Sequence, residues 1–583
     1  MSGSGMIMDR AVAIPMRDGT ILRADVYRPT GDGPFPTLLT RTPYDRTQPP
    51  TLAAGPDAFL ATAAGYAVVL QDTRGRWGSD GAFVPFEHEA DDGYDTVEWV
   101  AAQPWCDGNV GMTGASYVGY TQWTAASRRP PHLRAIAPVV ATSDLHDYWI
   151  YEGGAPSLWF NVSWLLSLGL DAVGKRFPGE AWRVERLVAA MDVLGDHIPT
   201  RPGQTPAVMD EVGIGDLYRT WVAHPERDAY WQPLSPRAAH ADIGVPVFNV
   251  AGWYDCFIGG SLANHVGMTA DGASDAARTG TRLVVGPWRH AFPILGDPAG
   301  DAVFGIGSTG LGVDMAGLQL RFFDRWLKGV APATPDAPVR LFIMGTNVWR
   351  DEPAWPLARA VPTDLYLRSG GRANTLWGDG RLTLAAPDAG ELADTFISDP
   401  ADPVPTRGGN LCCWQLVQAP GAFDQTGVEE RDDVLVYETE PLDDDLEVTG
   451  PVALTVHVSS TAPDFDVTAK LVDVFPDGVA RNLCEGIVRA RYRNGTHAPE
   501  LLPPGEVGAL RVDLIGTANV FRAGHRIRLE VAASNWPRFD RNPQTGGPIA
   551  GADELRPARQ TIHHDAAHPS RLHLHVIPAD SRP

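Results

Sequence analysis

The sequence predicts an α/β unit with a mostly parallel sheet, interrupted by a helical insertion and followed by an all-β domain. Three observations predict it. Short apolar runs of strand length alternate with stretches of helical periodicity over residues 1–145. That rhythm stops at 146–242, which is rich in Trp, Leu and Arg and lacks a buried-strand run, and it resumes at 243–354. From 355 to 583 the pattern becomes period two, punctuated by Gly and Pro turns. These ranges are expected as the first part of the α/β domain, a helical cap, the second part of the α/β domain, and a β-sandwich or jelly roll. A chain of 583 residues exceeds what one core can bury, and roughly three or four domains are expected.

Residues 11–14 and 21–27 flank Asp18-Gly19, a dipeptide that favours a tight turn, so an antiparallel hairpin opens the fold. Strands follow at 36–40, 67–70, 110–113 and 135–140. Between them, residues 93–100 place apolar side chains near every 3.6 positions, which predicts a helix. The insertion carries helical stretches at 159–170 and 181–194. Strands return at 245–250 and 282–285. A helix at 317–328, with Leu318, Phe322, Trp326 and Leu327 on one side, closes the unit. Alternating runs at 363–367, 452–458, 467–474, 526–531 and 572–576 give the β domain, with turns at Pro476-Asp477-Gly478 and Ala523-Gly524-His525. Residues 1–6 read as a flexible leader.

Composition excludes several classes. A net charge of −23 disfavours nucleic acid and anionic membrane surfaces. No apolar run of about 18 residues exists, so no membrane span is expected, and the start lacks a signal-peptide pattern. The cysteines, Cys106, Cys256, Cys412, Cys413 and Cys484, are odd in number and sparse. A disulfide framework is not expected, and a reducing cytoplasm fits. Cys412-Cys413 lacks a second Cys/His pair at ligand spacing, so neither metal nor cofactor is expected. A homodimer is left open.

The chemistry gathers around Gly114-Ala115-Ser116-Tyr117-Val118-Gly119, which lies between the strand at 110–113 and a helical stretch. A serine between glycines on a strand-to-helix turn has the form of a nucleophile elbow, although the second glycine usually stands where Val118 is. Asp255 and His290 follow the strands at 245–250 and 282–285 in the order Ser, Asp, His, at the sheet edge where catalytic groups of open α/β sheets collect. A Ser116–His290–Asp255 triad is therefore expected, with His290 as base and Asp255 orienting it. The amide of Tyr117 is one oxyanion donor, and Tyr44, just after the strand at 36–40, offers a phenolic second. Asp72 and Arg74 are read as an ion pair bracing the loop beside the elbow.

Together these motifs resemble the bacterial cocaine esterase family, serine hydrolases related to α-amino acid ester hydrolases and X-Pro dipeptidyl peptidases. The likeness runs over residues 12–27, 41–44, 72–81, 105–111, the elbow with its displaced glycine, 252–255 and 286–290, and continues in 399–405 and 466–478. It implies an α/β-hydrolase domain with an inserted helical cap, a C-terminal jelly roll, and an elbow of the form Gly-x-Ser-Tyr-x-Gly. It also implies acyl-pocket aromatics at Trp149, Trp164 and Phe257. The chain departs from the cocaine-hydrolysing pattern at Cys256, Cys412 and Cys413, and Arg289 adds positive charge before the base. The expected activity is cleavage of a small-molecule carboxylic ester through an acyl-enzyme. The alternatives are an α-amino acyl ester or amide hydrolase or acyltransferase, and an X-Pro dipeptidyl peptidase. Those need carboxylates to grip an ammonium group. Asp144, Asp147 and Glu152 are available near the cap entrance, and are read mostly as structural, exposed acids.

Overall fold

The structure is a computed structural model that describes residues 5–31, 33–48, 56–290 and 295–581. Most of the expected leader, residues 1–4, lies outside the described residues, whereas Met6 already opens the first strand. That strand, β1 (Met6–Pro15), pairs antiparallel with β2 (Ile21–Pro29) around Gly19, whose φ of 86° suits glycine. The sheet continues with β3 (Phe35–Thr42), β4 (Ala67–Asp72), β5 (Cys106–Ala115), β6 (Leu133–Val139), β7 (Phe248–Tyr254), β8 (Arg282–Arg289), β9 (Val339–Ile343) and β10 (Val348–Glu352). Their spatial order is β1-β2-β4-β3-β5-β6-β7-β8-β9-β10, parallel through the middle.

The central strands read as unbroken apolar runs because both faces are covered. Leu38, Val68, Leu70, Val139 and Val250 pack against α6 (Met315–Leu327) through Leu318, Phe322 and Phe323. Their neighbours Leu39, Val69, Val110, Met112 and Val247 pack on the opposite face. That face is covered by α1 (Glu89–Ala101), α2 (Tyr117–Ser127) and α5 (Ile258–Asp271), through Val97, Val100, Trp123 and Met268.

The insertion is helical as expected. A π-helical turn at His146–Ile150 leads into α3 (Leu158–Arg176) and α4 (Ala181–Asp192), followed by shorter helices. The first turns of α3 bury side chains all round, Trp159, Phe160, Val162, Trp164 and Leu165 among them, because the helix is enclosed by other elements on every side. The last part of the chain is an all-β domain whose sheet has 13 strands among the described residues. Asp466–Val474 pairs antiparallel with Ala480–Arg489 and with Arg526–Ala532. Its apolar interior is continuous with Trp253, Leu341 and Phe342 of the α/β unit. No helix among the described residues is long and apolar enough to cross a membrane.

Candidate active site

Ser116 stands on the turn between β5 and α2 with φ 62° and ψ −127°, a strained conformation that costs about 1–3 kcal/mol and persists only where the surroundings impose it. Contacts around the turn explain the displaced glycine. A Cβ at Gly114, where φ is 135°, would lie 2.2 Å from Val118 Cγ1. A Cβ at Gly119 would lie 2.4 Å from the Cβ of Ala141. Position 119 is thus the one pressed against the loop after β6, while Val118 folds over Gly114.

Asp255 follows β7 and His290 follows β8, and both meet Ser116 at the same sheet edge. His290 Nε2 lies 3.0 Å from Ser116 Oγ, and His290 Nδ1 lies 2.7 Å from Asp255 Oδ2. The remaining Asp255 oxygen accepts the Phe257 amide at 2.7 Å, so the carboxylate cannot swing away from the imidazole. All three side chains are buried.

Two groups beside the serine are candidate oxyanion donors. The N–H of Tyr117 is the first of α2 and has no intrahelical partner, at the positive end of the helix dipole. The Tyr117 phenol is engaged elsewhere. It donates to Glu89 Oε1 at 2.9 Å and accepts the Phe86 amide, and Glu89 in turn pairs with the buried Arg41 at 3.0 Å. The second candidate is Tyr44. Its oxygen accepts the indole N–H of Trp164 at 3.0 Å and lies close enough to Ser116 to be influenced by its hydroxyl. Desolvation pushes the phenol up to about 12, which keeps its proton on the oxygen at neutral pH. The Trp164 contact holds the phenol oxygen in place beside the serine.

Trp149 and Phe257 pack with ring centroids 4.5 Å apart, and Phe257 meets the His290 ring edge-on at 5.1 Å. With Cys256, Leu411, Cys412, Glu152, Asn410 and Arg538 they line a cavity of ≈ 20 Å³. Trp164 does not line it. It stacks on Phe86 and Trp221 and reaches the site through Tyr44.

The other charged residues are tied down. Asp144 is fully buried and pairs with Arg227 at 2.8 Å and Arg237 at 3.2 Å, while Asp147 binds Arg227 and His146. Glu152 accepts from Arg538, which also binds Glu485. These acids are therefore structural, but through buried pairing and not through exposure. Asp72 and Arg74 do not pair with each other. Asp72 binds Arg46, and Arg74 bridges Asp18 and Asp92. Arg289 is turned away to the Pro298 carbonyl and Gln415.

Sequence reasoning missed the contribution of the β domain. A loop at 405–421 lies against the site. Asn410 Nδ2 donates to the carbonyls of Asp255 and Trp253 at 3.0 and 3.2 Å, and the Cys412 backbone runs beside that of His290. Cys412 and Cys413 are joined by a disulfide, a bond between neighbours that the odd, sparse cysteine count did not suggest. Their adjacency in sequence was the only available signal.

Comparison with known proteins agrees with this architecture. Residues 18–292 match the X-Pro dipeptidyl-peptidase (S15 family) model, and 332–573 match the X-Pro dipeptidyl-peptidase C-terminal non-catalytic domain. A cocaine esterase of Rhodococcus sp. (strain MB1 Bresler) is 42% identical over 582 residues, covering 97% of this chain and 98% of that one. The chain belongs to the cocaine esterase family of S15-type serine hydrolases. Among solved structures, an aminopeptidase from a marine sediment Thaumarchaeota archaeon superposes with a TM-score of 0.80 at 27% identity. An α-amino acid ester hydrolase does so with a TM-score of 0.80 at 26% identity. Each covers 99% of this chain, and 97% of each is matched. The two structures that share this scaffold are thus named for an aminopeptidase and for an ester hydrolase.

Proposed function

We propose that this protein hydrolyses carboxylic esters with a small, uncharged acyl group through an acyl-enzyme on Ser116. The observation that carries the reading is the continuous chain Ser116 Oγ–His290–Asp255, with contacts of 3.0 and 2.7 Å. His290 Nε2 takes the serine proton as Oγ attacks the ester carbonyl, and Asp255 holds the tautomer and stabilises the imidazolium. The Tyr117 amide and the Tyr44 hydroxyl receive the charge that develops on the carbonyl oxygen. His290 then returns the proton to the leaving alcohol. Water, deprotonated by the same imidazole, releases the acid. The cavity of ≈ 20 Å³ is not lined by Ser116 itself but adjoins His290 through Phe257; taken as the acyl pocket, it has room for a group about the size of one water molecule, which favours a short acyl chain.

A second reading, α-amino acyl ester hydrolysis, draws on one observation. Among the described residues Glu152 Oε1 and Asn410 Oδ1 have no hydrogen-bond partner beside that cavity, and two acceptors would suit an ammonium group. Against it, Arg538 already balances Glu152. Rates on p-nitrophenyl acetate, an aminoacyl p-nitrophenyl ester and an Xaa-Pro anilide decide the matter. The acetate is expected to be fastest, and a higher kcat/KM for the aminoacyl ester would reverse the order of the two readings. Ser116→Ala is expected to fold normally, to lose fluorophosphonate labelling and to lose turnover. Retained turnover in that variant would remove Ser116 as nucleophile.

A further inference from the structure

The cysteines that set this chain apart meet at the base. Cys256, beside the acid Asp255, Cys412, from the β-domain loop, and His290 offer ligand atoms that all lie within 4.8 Å of one another. Cys256 and Cys412 both line the ≈ 20 Å³ cavity, which is room for a single water or ion. In a tetrahedral site built on metal–sulfur and metal–nitrogen bonds of ordinary length, neighbouring ligand atoms stand about 3.5–3.8 Å apart. Side-chain rotation spans the difference. Two sulfurs and an imidazole form a donor set that selects soft and borderline cations over magnesium or calcium. Both ring nitrogens of His290 are already engaged, Nδ1 with Asp255 and Nε2 with Ser116, so a cation drawn in by the sulfurs that takes either one breaks the relay.

Cys412 is bonded to Cys413, and a disulfide sulfur is not a thiolate ligand. We propose that Cys256, Cys412 and His290 form a thiophilic-metal site, closed while Cys412 is bound to Cys413 and opened by reduction, at which a soft divalent cation stops the reaction. The chemistry balances. Two electrons from a thiol or phosphine reductant split the Sγ–Sγ bond, and each sulfur takes up one proton. The cation then displaces the protons of Cys256 and Cys412, and the fourth position is left to water. Cys413, released, becomes a free thiol. The inhibitory part of this proposal rests on the triad reading above, whereas the binding part does not.

The test uses the full chain and cadmium as probe, with a phosphine as reductant. Thiol titration should rise from the three free cysteines Cys106, Cys256 and Cys484 to all five. Cadmium should then give a thiolate charge-transfer absorption that saturates at one ion per chain. Esterase activity should fall in parallel and return with a chelator. The unreduced protein should show neither effect. Cys413→Ala, which leaves Cys412 unbonded, should bind cadmium without reductant, and Cys256→Ser should lose the absorption in every state. No stoichiometric absorption in the reduced protein, equal binding before reduction, or an unchanged band in Cys256→Ser would each overturn the site. Full absorption without any esterase activity to inhibit would leave the site standing and the ester reading refuted.

Discussion

Removal of the Tyr44 hydroxyl tests one half of the proposed oxyanion hole. In Tyr44→Phe the ring stays among its aromatic neighbours and only the oxygen is lost. That oxygen accepts the Trp164 N–H at 3.0 Å and sits close to Ser116, so its proton has the developing oxyanion as its natural acceptor. One such donor is worth about 10²–10³ in kcat, or roughly 2.7–4 kcal/mol. The Tyr117 amide remains, so turnover falls without vanishing. KM should change little, since the bond strengthens only as charge appears on the carbonyl oxygen. A stability cost of up to about 1–3 kcal/mol comes separately from the indole N–H left without its acceptor. Steady-state kinetics on p-nitrophenyl acetate, with a thermal melt of the same sample, separate the two effects. Trp164→Phe supplies the control. It keeps the phenol but frees it to rotate, and should cost one ordinary hydrogen bond, roughly two- to tenfold in rate. A kcat for Tyr44→Phe within about twofold of the parent would refute the assignment of its hydroxyl to the oxyanion.

Three further outcomes follow from the packing and the charges. Gly119→Ala drives a Cβ to 2.4 Å from that of Ala141 and should lower stability by about 1–3 kcal/mol, read as a drop in urea midpoint, with activity falling because α2 carries the Tyr117 amide. In the fully buried environment of Asp540, desolvation raises its carboxyl from 3.8 to about 6. Between those values the folded protein keeps a proton that the unfolded chain has lost, so stability falls as pH rises through this window and levels off above it. The loss is about 3 kcal/mol, and the melting temperature of Asp540→Asn should show a flatter slope from about pH 4 to 7; parallel slopes would exclude this group. The small cavity beside the triad should make p-nitrophenyl acetate a better substrate than the benzoate, because a phenyl ring requires Trp149 or Phe257 to move. Equal kcat/KM for the two esters would show that the cavity does not bound the acyl group.

The fold class was legible because local pattern and tertiary environment agree. Leu38 and Leu39, or Val69 and Leu70, face opposite covered sides of one sheet, and consecutive apolar residues report that directly. The elbow was legible through Gly114 and Ser116, but the reason for Val118 was not, since the atom that forces a glycine to 119 belongs to Ala141 after the next strand. The Ser, Asp, His chain order at predicted strand ends, its glycine-rich turns and the family resemblance together suggested that Ser116, Asp255 and His290 meet at one edge. The charged residues were read less well. Asp144, taken as an exposed acid, is sealed between two arginines from the end of the insertion, and Arg74 finds its partners on β1–β2 and α1, not at Asp72. Pairings of this kind depend on which loops pack together, and no local spacing encodes them. The same holds for Asn410, more than a hundred residues beyond the groups it holds.

That asparagine ties the two ends of the molecule into one machine. A chain that has folded only its first half owns Ser116, His290 and Asp255, yet lacks the brace behind Asp255 and the wall beside His290. Turnover should therefore appear late, once the C-terminal strands have docked, which makes the appearance of activity a direct readout of complete assembly during refolding.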